Sequence, residues 1–204
     1  MSALCSVFVK GYAAGAHYNH GGSGSNFLCL PEDPQWGIHI AGLHSLKHEG
    51  RVYGVEYELW RNAGTSTNNV FDWGSNELTS RGAPCALCYV ENRSTVVMMP
   101  ARTQCPTGWT AEYGGYIVSQ AHESRKRGGY YCWDGAPEIA SGSGVNKDQS
   151  VIYPVEVECG SLPCSVFTNG RELTCKVCSK WWTIKLLLKL TTSHTRSGKA
   201  ILFI

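Results

Sequence analysis

The sequence predicts a mainly β fold, made of two similar disulfide-stapled subdomains in tandem and followed by a non-homologous C-terminal tail. Three observations predict it. Landmarks of the first half recur in the second half in the same order, two segments alternate as half-buried strands do, and no segment before Lys180 keeps a helical period of 3.6 residues over three turns. We place the first β subdomain at residues 1–90, the second at 91–180 and the tail at 181–204.

Four pairs of landmarks define the internal repeat. With their offsets in residues, the pairs are Gly11-Tyr12 and Gly115-Tyr116 (104), Cys29 to Pro34 and Cys132 to Pro137 (103), Tyr53 to Glu58 and Tyr153 to Glu158 (100), and Cys85 to Cys88 and Cys175 to Cys178 (90). The offsets shrink slowly along the chain, so the first copy has the longer loops. The pattern indicates a tandem duplication of about 90 to 100 residues.

The strand prediction is clearest in the Tyr-x-Val-Glu-x-Glu segments, which begin at Tyr53 and Tyr153. Alternation places the tyrosine and valine side chains on the core face and the glutamates on the solvent face. Short strands are also predicted at 94–99 and 116–118, between stretches rich in glycine and serine that favour turns. We therefore expect the paired carboxylates to be exposed and to play no part in acid–base catalysis. They are Glu56, Glu58, Glu156 and Glu158.

The tail differs from the rest of the chain because residues 181–204 contain no cysteine and no acidic residue. Its apolar run, Trp182–Leu190, is far shorter than the roughly 20 residues that span a bilayer. We expect the tail to be disordered or to form a short amphipathic helix, with no membrane span.

The amino-acid composition excludes some classes of function. Hydrophobic residues make up 43% of the chain and charged residues 17%, with a formal net charge of +2, which is typical of a folded protein. A near balance of charges argues against nucleic-acid binding, which needs clustered Lys and Arg. The basic run Arg125–Arg127 is too short for a lipid or heparin patch, and we interpret it as a solvated loop.

Ten of the 204 residues are cysteine, an even number that suits an oxidising, extracellular compartment. Residues Met1–Lys10 lack the features of a secretory signal, so either the chain is a fragment or the compartment assignment is wrong. Two CxxC motifs could bind zinc. However, the second repeat alone holds six cysteines, enough for three disulfides, and we expect no metal and no cofactor.

Six cysteines allow fifteen pairings. The repeat narrows them, because Cys159 and Cys164 have no counterparts in the first copy, where Leu59 and Gly64 stand 100 residues earlier. Two cysteines that are both present in one copy and both absent from the other are most simply explained as bonded to each other. The turn residues between them suit the short loop that this bond would close.

Taken in order, these landmarks resemble the C-terminal non-collagenous domain of type IV collagen and, more closely, that of the sponge-type short-chain collagens. The second copy carries the clearest motifs. They are Cys105-Pro106-Thr107-Gly108-Trp109, Gly115-Tyr116, Cys132, Cys159, Cys164 and Cys175-Lys176-Val177-Cys178. The first copy matches from Gly11 through Cys29–Pro34 to Ala83–Val90, so the resemblance covers about residues 10–180.

The resemblance implies a disulfide pattern. The implied pairs are Cys105–Cys178, Cys132–Cys175, Cys159–Cys164 and Cys29–Cys85. Cys88 is left without the CPxG cysteine expected about ten residues before Gly11, so the first subdomain is N-terminally incomplete against the family pattern. Either Cys5 takes the place of that cysteine and bonds Cys88, or this bond is absent. No Gly-X-Y repeat is present, so this chain alone cannot form a collagen triple helix.

By this resemblance we expect a secreted, non-enzymatic structural protein of extracellular matrix, and a mineralised or shell matrix is one setting. Its expected partners are further copies of itself, in trimers or higher assemblies, and collagen or other matrix proteins. The sequon at Asn92 fits a secreted glycoprotein.

The alternative is a secreted carbohydrate-binding, lectin-like module that uses exposed aromatic side chains. The candidates are Trp36, Trp60, Trp73, Trp109 and Trp133. A metal site made of histidines is less well supported, because the histidines as a set have neither the helical spacing of a metal-binding motif nor a fixed acidic partner. They are His17, His20, His39, His44 and His48.

Overall fold

The computed structural model describes residues 5–38, 50–58, 78–90, 93, 95–143 and 146–181. These residues form nine β-strands and no helix, which confirms the predicted mainly β class. The strands are β1 (Cys5–Gly15), β2 (Leu28–Pro31), β3 (Tyr53–Tyr57), β4 (Pro84–Val90), β5 (Thr95–Pro100), β6 (Thr110–Ser119), β7 (Tyr131–Asp134), β8 (Ser150–Pro154) and β9 (Thr174–Lys180). The predicted disordered or helical tail lies, from residue 182 onward, outside the described residues.

The strands form one hydrogen-bonded sheet in the order β2-β1-β3-β8-β6-β9-β5, with β4 paired to β1 and β7 paired to β6. All described pairings are antiparallel except that of β3 with β8. This parallel pair joins the two halves of the chain, with Val55 opposite Ser150 and Tyr57 opposite Ile152. None of the residues that the structure describes forms a helix long and apolar enough to cross a membrane.

Both halves use the same strand pairing. In the first half β1 pairs with β2, β3 and β4, and in the second half β6 pairs with β7, β8 and β9. The equivalent registers are Gly11↔Cys85 and Gly115↔Cys175, Ala13↔Cys29 and Ile117↔Cys132, and Gly15↔Tyr53 and Ser119↔Tyr153. Their offsets are those of the sequence repeat.

The β-bulges and the tightly packed glycines also lie at equivalent positions in the two halves. A β-bulge interrupts β1 between Val7 and Val9, and another interrupts β6 between Ala111 and Tyr113, 104 residues later. Gly11 and Gly115 are both required by close backbone approach, because a Cβ at either position would overlap the carbonyl oxygen of Leu30 or Trp133. The repeated local geometry therefore rests on repeated residues.

The core is shared between the halves. One buried cluster contains Ala13, Val55 and Tyr57 from the first half together with Trp133 and Ile152 from the second. Burial of this apolar surface is the main term that holds the halves together. The two sequence repeats thus fold around a common interior, and the boundary between residues 1–90 and 91–180 stays a prediction.

Two details of the strand prediction are wrong. The second alternating segment is predicted over Tyr153–Glu158, but β8 spans Ser150–Pro154 and the residues that follow contribute an isolated bridge at Glu156. Glu56 and Glu58 are buried, at 8% and 9% exposure, whereas Glu156 and Glu158 are exposed as expected. Glu56 and Glu58 are buried because β3 lies inside the sheet, between β1 and β8, and is covered on both faces at its C-terminal end. The second glutamate pair follows the end of β8.

Candidate functional site

The disulfides are the best-defined chemical feature. The structure contains Cys29–Cys85, Cys105–Cys178, Cys132–Cys175 and Cys159–Cys164, the four pairs that the resemblance implies. Cys88 is also disulfide-bonded. The side chain of Cys5 lies outside the described residues, so a Cys5–Cys88 bond stays a prediction. With every sulfur of both CxxC motifs in a disulfide, neither motif offers the thiolates that zinc binds.

Two of these disulfides sit at equivalent places. Cys29–Cys85 joins β2 to β4 across β1, and Cys132–Cys175 joins β7 to β9 across β6. Their Cα atoms are 5.7 and 5.6 Å apart, far less than two strand spacings. The central strand carries Gly11 or Gly115 at this level, and the missing side chain lets the sheet curl tightly enough for the bond.

A cluster of carboxyl groups lies beside the junction between β3 and β8. The Glu56 carboxylate accepts a hydrogen bond from the Lys147 backbone N–H at 3.1 Å, and that of Glu58 accepts one from the Ser80 hydroxyl at 3.5 Å. Burial raises the pKa of Glu58 above its ordinary value, and the nearby Asp148 carboxyl raises it further. Sequence reasoning missed this cluster because it placed both glutamates in solvent.

A groove of about 500 Å³ opens between β1, β4 and residues 134–141. Its floor includes Tyr57, whose hydroxyl donates a hydrogen bond to the Glu138 carbonyl at 2.8 Å and accepts one from Trp133 Nε1 at 3.2 Å. Burial raises the pKa of the Tyr57 phenol, so the group stays neutral and can serve as a donor. The hydrogen bonds fix the groove floor by joining both halves of the chain.

The predicted aromatic set does not share one surface. Trp133 is 2% exposed and belongs to the core, whereas Trp36 is 87% exposed. The Lys180 Nζ atom lies over the Trp109 ring, 5.4 Å from the ring centroid. Trp60 and Trp73 lie outside the described residues. The described tryptophans therefore form no common sugar-binding groove.

The histidines divide in the same way. The rings of His17 and His20 stack with their centroids 4.1 Å apart, while His39, His44 and His48 lie outside the described residues. His17 Nδ1 accepts a hydrogen bond from the Asn19 backbone N–H at 3.2 Å, and burial together with His20 lowers the pKa of His17. Within the described part of the chain, no group of three or more His, Cys, Asp or Glu side chains could hold a metal ion.

The predicted solvated basic loop needs a correction. Arg125 and Arg127 are exposed, but Lys126 is only 8% exposed and its ammonium donates a hydrogen bond to the Ser23 carbonyl at 2.8 Å. The lysine therefore ties the second half to a loop of the first. The sequon residue Asn92 lies outside the described residues.

Both ends of the sheet order are uncharged edge strands. At one end, β2 exposes Leu28 and Leu30 to 45% and 37%, and at the other, β5 exposes Met98 to 38%. Edge strands present backbone donors and acceptors that can pair with another chain. Within the described residues, these two edge strands combine such backbone groups with exposed apolar side chains.

Comparison with known proteins gives no further assignment, since no protein-family model and no solved structure matches the chain.

Proposed function

We propose that this chain is a non-enzymatic structural component of extracellular matrix, which self-assembles through a β domain of the collagen non-collagenous type. The observation that carries the proposal is the disulfide pattern. Four bonds join the cysteines that the family resemblance pairs, and two of them link equivalent strands across equivalent glycines.

The disulfides also support an oxidising location outside the cell, because such bonds persist there and are reduced in a cytosol. Val55, Tyr57, Trp133 and Ile152 are buried in one cluster, so the two halves share a core. A domain with a shared core and apolar edges at β2 and β5 is suited to assemble with further copies into trimers or higher oligomers, and with collagen or other matrix proteins in a shell or other matrix.

The test is the oligomeric state of the oxidised protein, measured by sedimentation velocity and light scattering over a wide concentration range. We expect a trimer or larger species that dissociates when the disulfides are reduced and alkylated. A chain that stays monomeric at the highest attainable concentration contradicts self-assembly.

A binding measurement separates the matrix function from the lectin-like alternative. We expect the oxidised protein to bind immobilised collagen non-collagenous domain and to show no preference on a glycan array. Selective binding to one class of glycan, reduced by Trp36→Ala and unaffected by Trp109→Ala, would favour the alternative, because Trp36 is the more exposed of the two.

A further inference from the structure

We propose that the Cys159–Cys164 disulfide is a site of thiol–disulfide exchange, at which the thiolate of another molecule attacks the sulfur of Cys164 while the domain stays folded. The ligand class is a thiol, carried by a small molecule or by a protein surface. The inference goes beyond the proposed function and does not depend on it.

Exposure distinguishes this bond from the other three disulfides that join described cysteines. Cys164 is exposed and Cys159 is partly buried, whereas each of the other three bonds contains a cysteine that is at most 5% exposed. Those buried residues are Cys85, Cys132, Cys175 and Cys178. A thiolate has to reach a sulfur atom directly, so access to the bond controls the rate of exchange.

The loop around the bond is held by hydrogen bonds that do not need the disulfide. The Val157 N–H donates to the Arg171 carbonyl, and the Gly170 N–H donates to the Val157 carbonyl, both at 2.9 Å. The Cys159 N–H donates to Asn169 Oδ1 at 2.6 Å. These contacts remain when the sulfur–sulfur bond opens. We therefore expect the loop to keep its position, because local opening need not involve the rest of the fold.

The internal repeat supports the same conclusion. Cys159 and Cys164 have no counterparts in the first copy, where Leu59 and Gly64 stand 100 residues earlier. The first half nevertheless forms the same pairing of one central strand with three others that the second half forms. The common strand framework therefore does not require this bond.

Charge favours Cys164 over Cys159 as the sulfur that is attacked. Residues 160–170 contain no charged side chain, so Cys164 lies in a neutral stretch. The exposed carboxylate of Glu158 directly precedes Cys159 and repels an approaching thiolate. Exposure and charge thus favour the same sulfur atom.

The exchange step balances without an added oxidant or reductant. The incoming sulfur forms a bond to Cys164 Sγ, the Cys159–Cys164 bond breaks, and the electron pair leaves on Cys159 Sγ. The proton that the incoming thiol lost reaches Cys159 through water. The products are a mixed disulfide at Cys164 and a free thiol at Cys159, which can attack back and restore the original bond.

The test treats the intact oxidised protein with graded concentrations of glutathione, traps free thiols rapidly by alkylation and locates the adducts by mass spectrometry. We expect glutathione on Cys164 and the alkyl group on Cys159. The reaction should be roughly tenfold or more faster than that of the other three bonds, with the folded tryptophan fluorescence unchanged. A small protein with one exposed cysteine, used in place of glutathione, shows whether the site also accepts protein thiols.

A pair of variants tests the choice of sulfur. Glu158→Gln should raise the share of adducts on Cys159 by about twofold at low salt, because the repulsion is removed. The matched control is Glu156→Gln, an exposed carboxylate two residues farther from the bond, which should leave the share unchanged.

Three results would overturn the proposal. The first is opening of one of the other three bonds at the same or a lower glutathione concentration. The second is loss of the folded fluorescence signal whenever Cys164 reacts. The third is an adduct found mainly on Cys159. The assay needs no oligomer and no matrix partner, so its failure leaves the proposed function intact.

Discussion

The disulfides Cys29–Cys85 and Cys159–Cys164 should differ in how much they stabilise the fold, although both are present in the same domain. The perturbation is a pair of double variants, Cys29→Ala with Cys85→Ala and Cys159→Ala with Cys164→Ala. The first bond spans 56 residues and joins two strands across β1, whereas the second spans 5 residues in an exposed loop.

The difference follows from loop closure. The entropy lost by the unfolded chain grows with the logarithm of loop length, which gives roughly 4 kcal/mol for a separation of 56 and roughly 2 kcal/mol for a separation of 5. The other disulfides already restrict the unfolded chain, which reduces the first figure to about 3 to 4 kcal/mol. Cys85 is 5% exposed, so its truncation also costs packing, whereas Cys164 is exposed.

The assay is equilibrium unfolding in guanidinium chloride, followed by tryptophan fluorescence under oxidising conditions. Non-reducing peptide mapping verifies that the other bonds are intact in each variant. We expect the Cys29/Cys85 variant to lose about twice the unfolding free energy lost by the Cys159/Cys164 variant. Equal losses, or a larger loss for the short loop, would refute the reasoning that chain restriction and burial set the stabilisation.

Three further predictions concern single residues. Tyr57→Phe should lower the unfolding free energy by about 1 to 3 kcal/mol in denaturant titrations, because the buried Trp133 N–H donor and the partly buried Glu138 carbonyl lose their partner; no change would show that water replaces it. Gly11→Ala should prevent oxidative refolding, as judged by the yield of correctly bonded protein, whereas Gly54→Ala, with open space at its Cβ, should refold normally. The folded-state pKa of Glu58 is raised, so the contribution of this group to the unfolding free energy is fully present below the ordinary glutamate pKa and is lost as the pH rises through the raised value. The Glu58→Gln variant should therefore become more stable relative to the native protein as the pH increases from about 4 to about 7. A difference in unfolding free energy that does not change with pH would contradict this sign.

The sequence by itself indicated the mainly β class and the internal repeat, whereas it predicted strands at four places where the structure describes nine. The repeat offsets of 104, 103, 100 and 90 recur as equivalent registers, because glycines, cysteines and alternating segments specify local geometry. The pairing of Cys159 with Cys164 could be inferred from the repeat alone, since a bond between near neighbours depends on local chain geometry.

Only the tertiary structure decided which surfaces are covered. Alternation shows that Glu56 and Glu58 share a face of β3, but burial of that face depends on the parallel β3–β8 pairing, whose partners are about 95 residues apart. The same holds for Lys126, buried against Ser23, and for Phe8, exposed where Glu112 is enclosed. Such contacts join residues distant in sequence, and a local pattern cannot specify them because it carries no information about what packs against it.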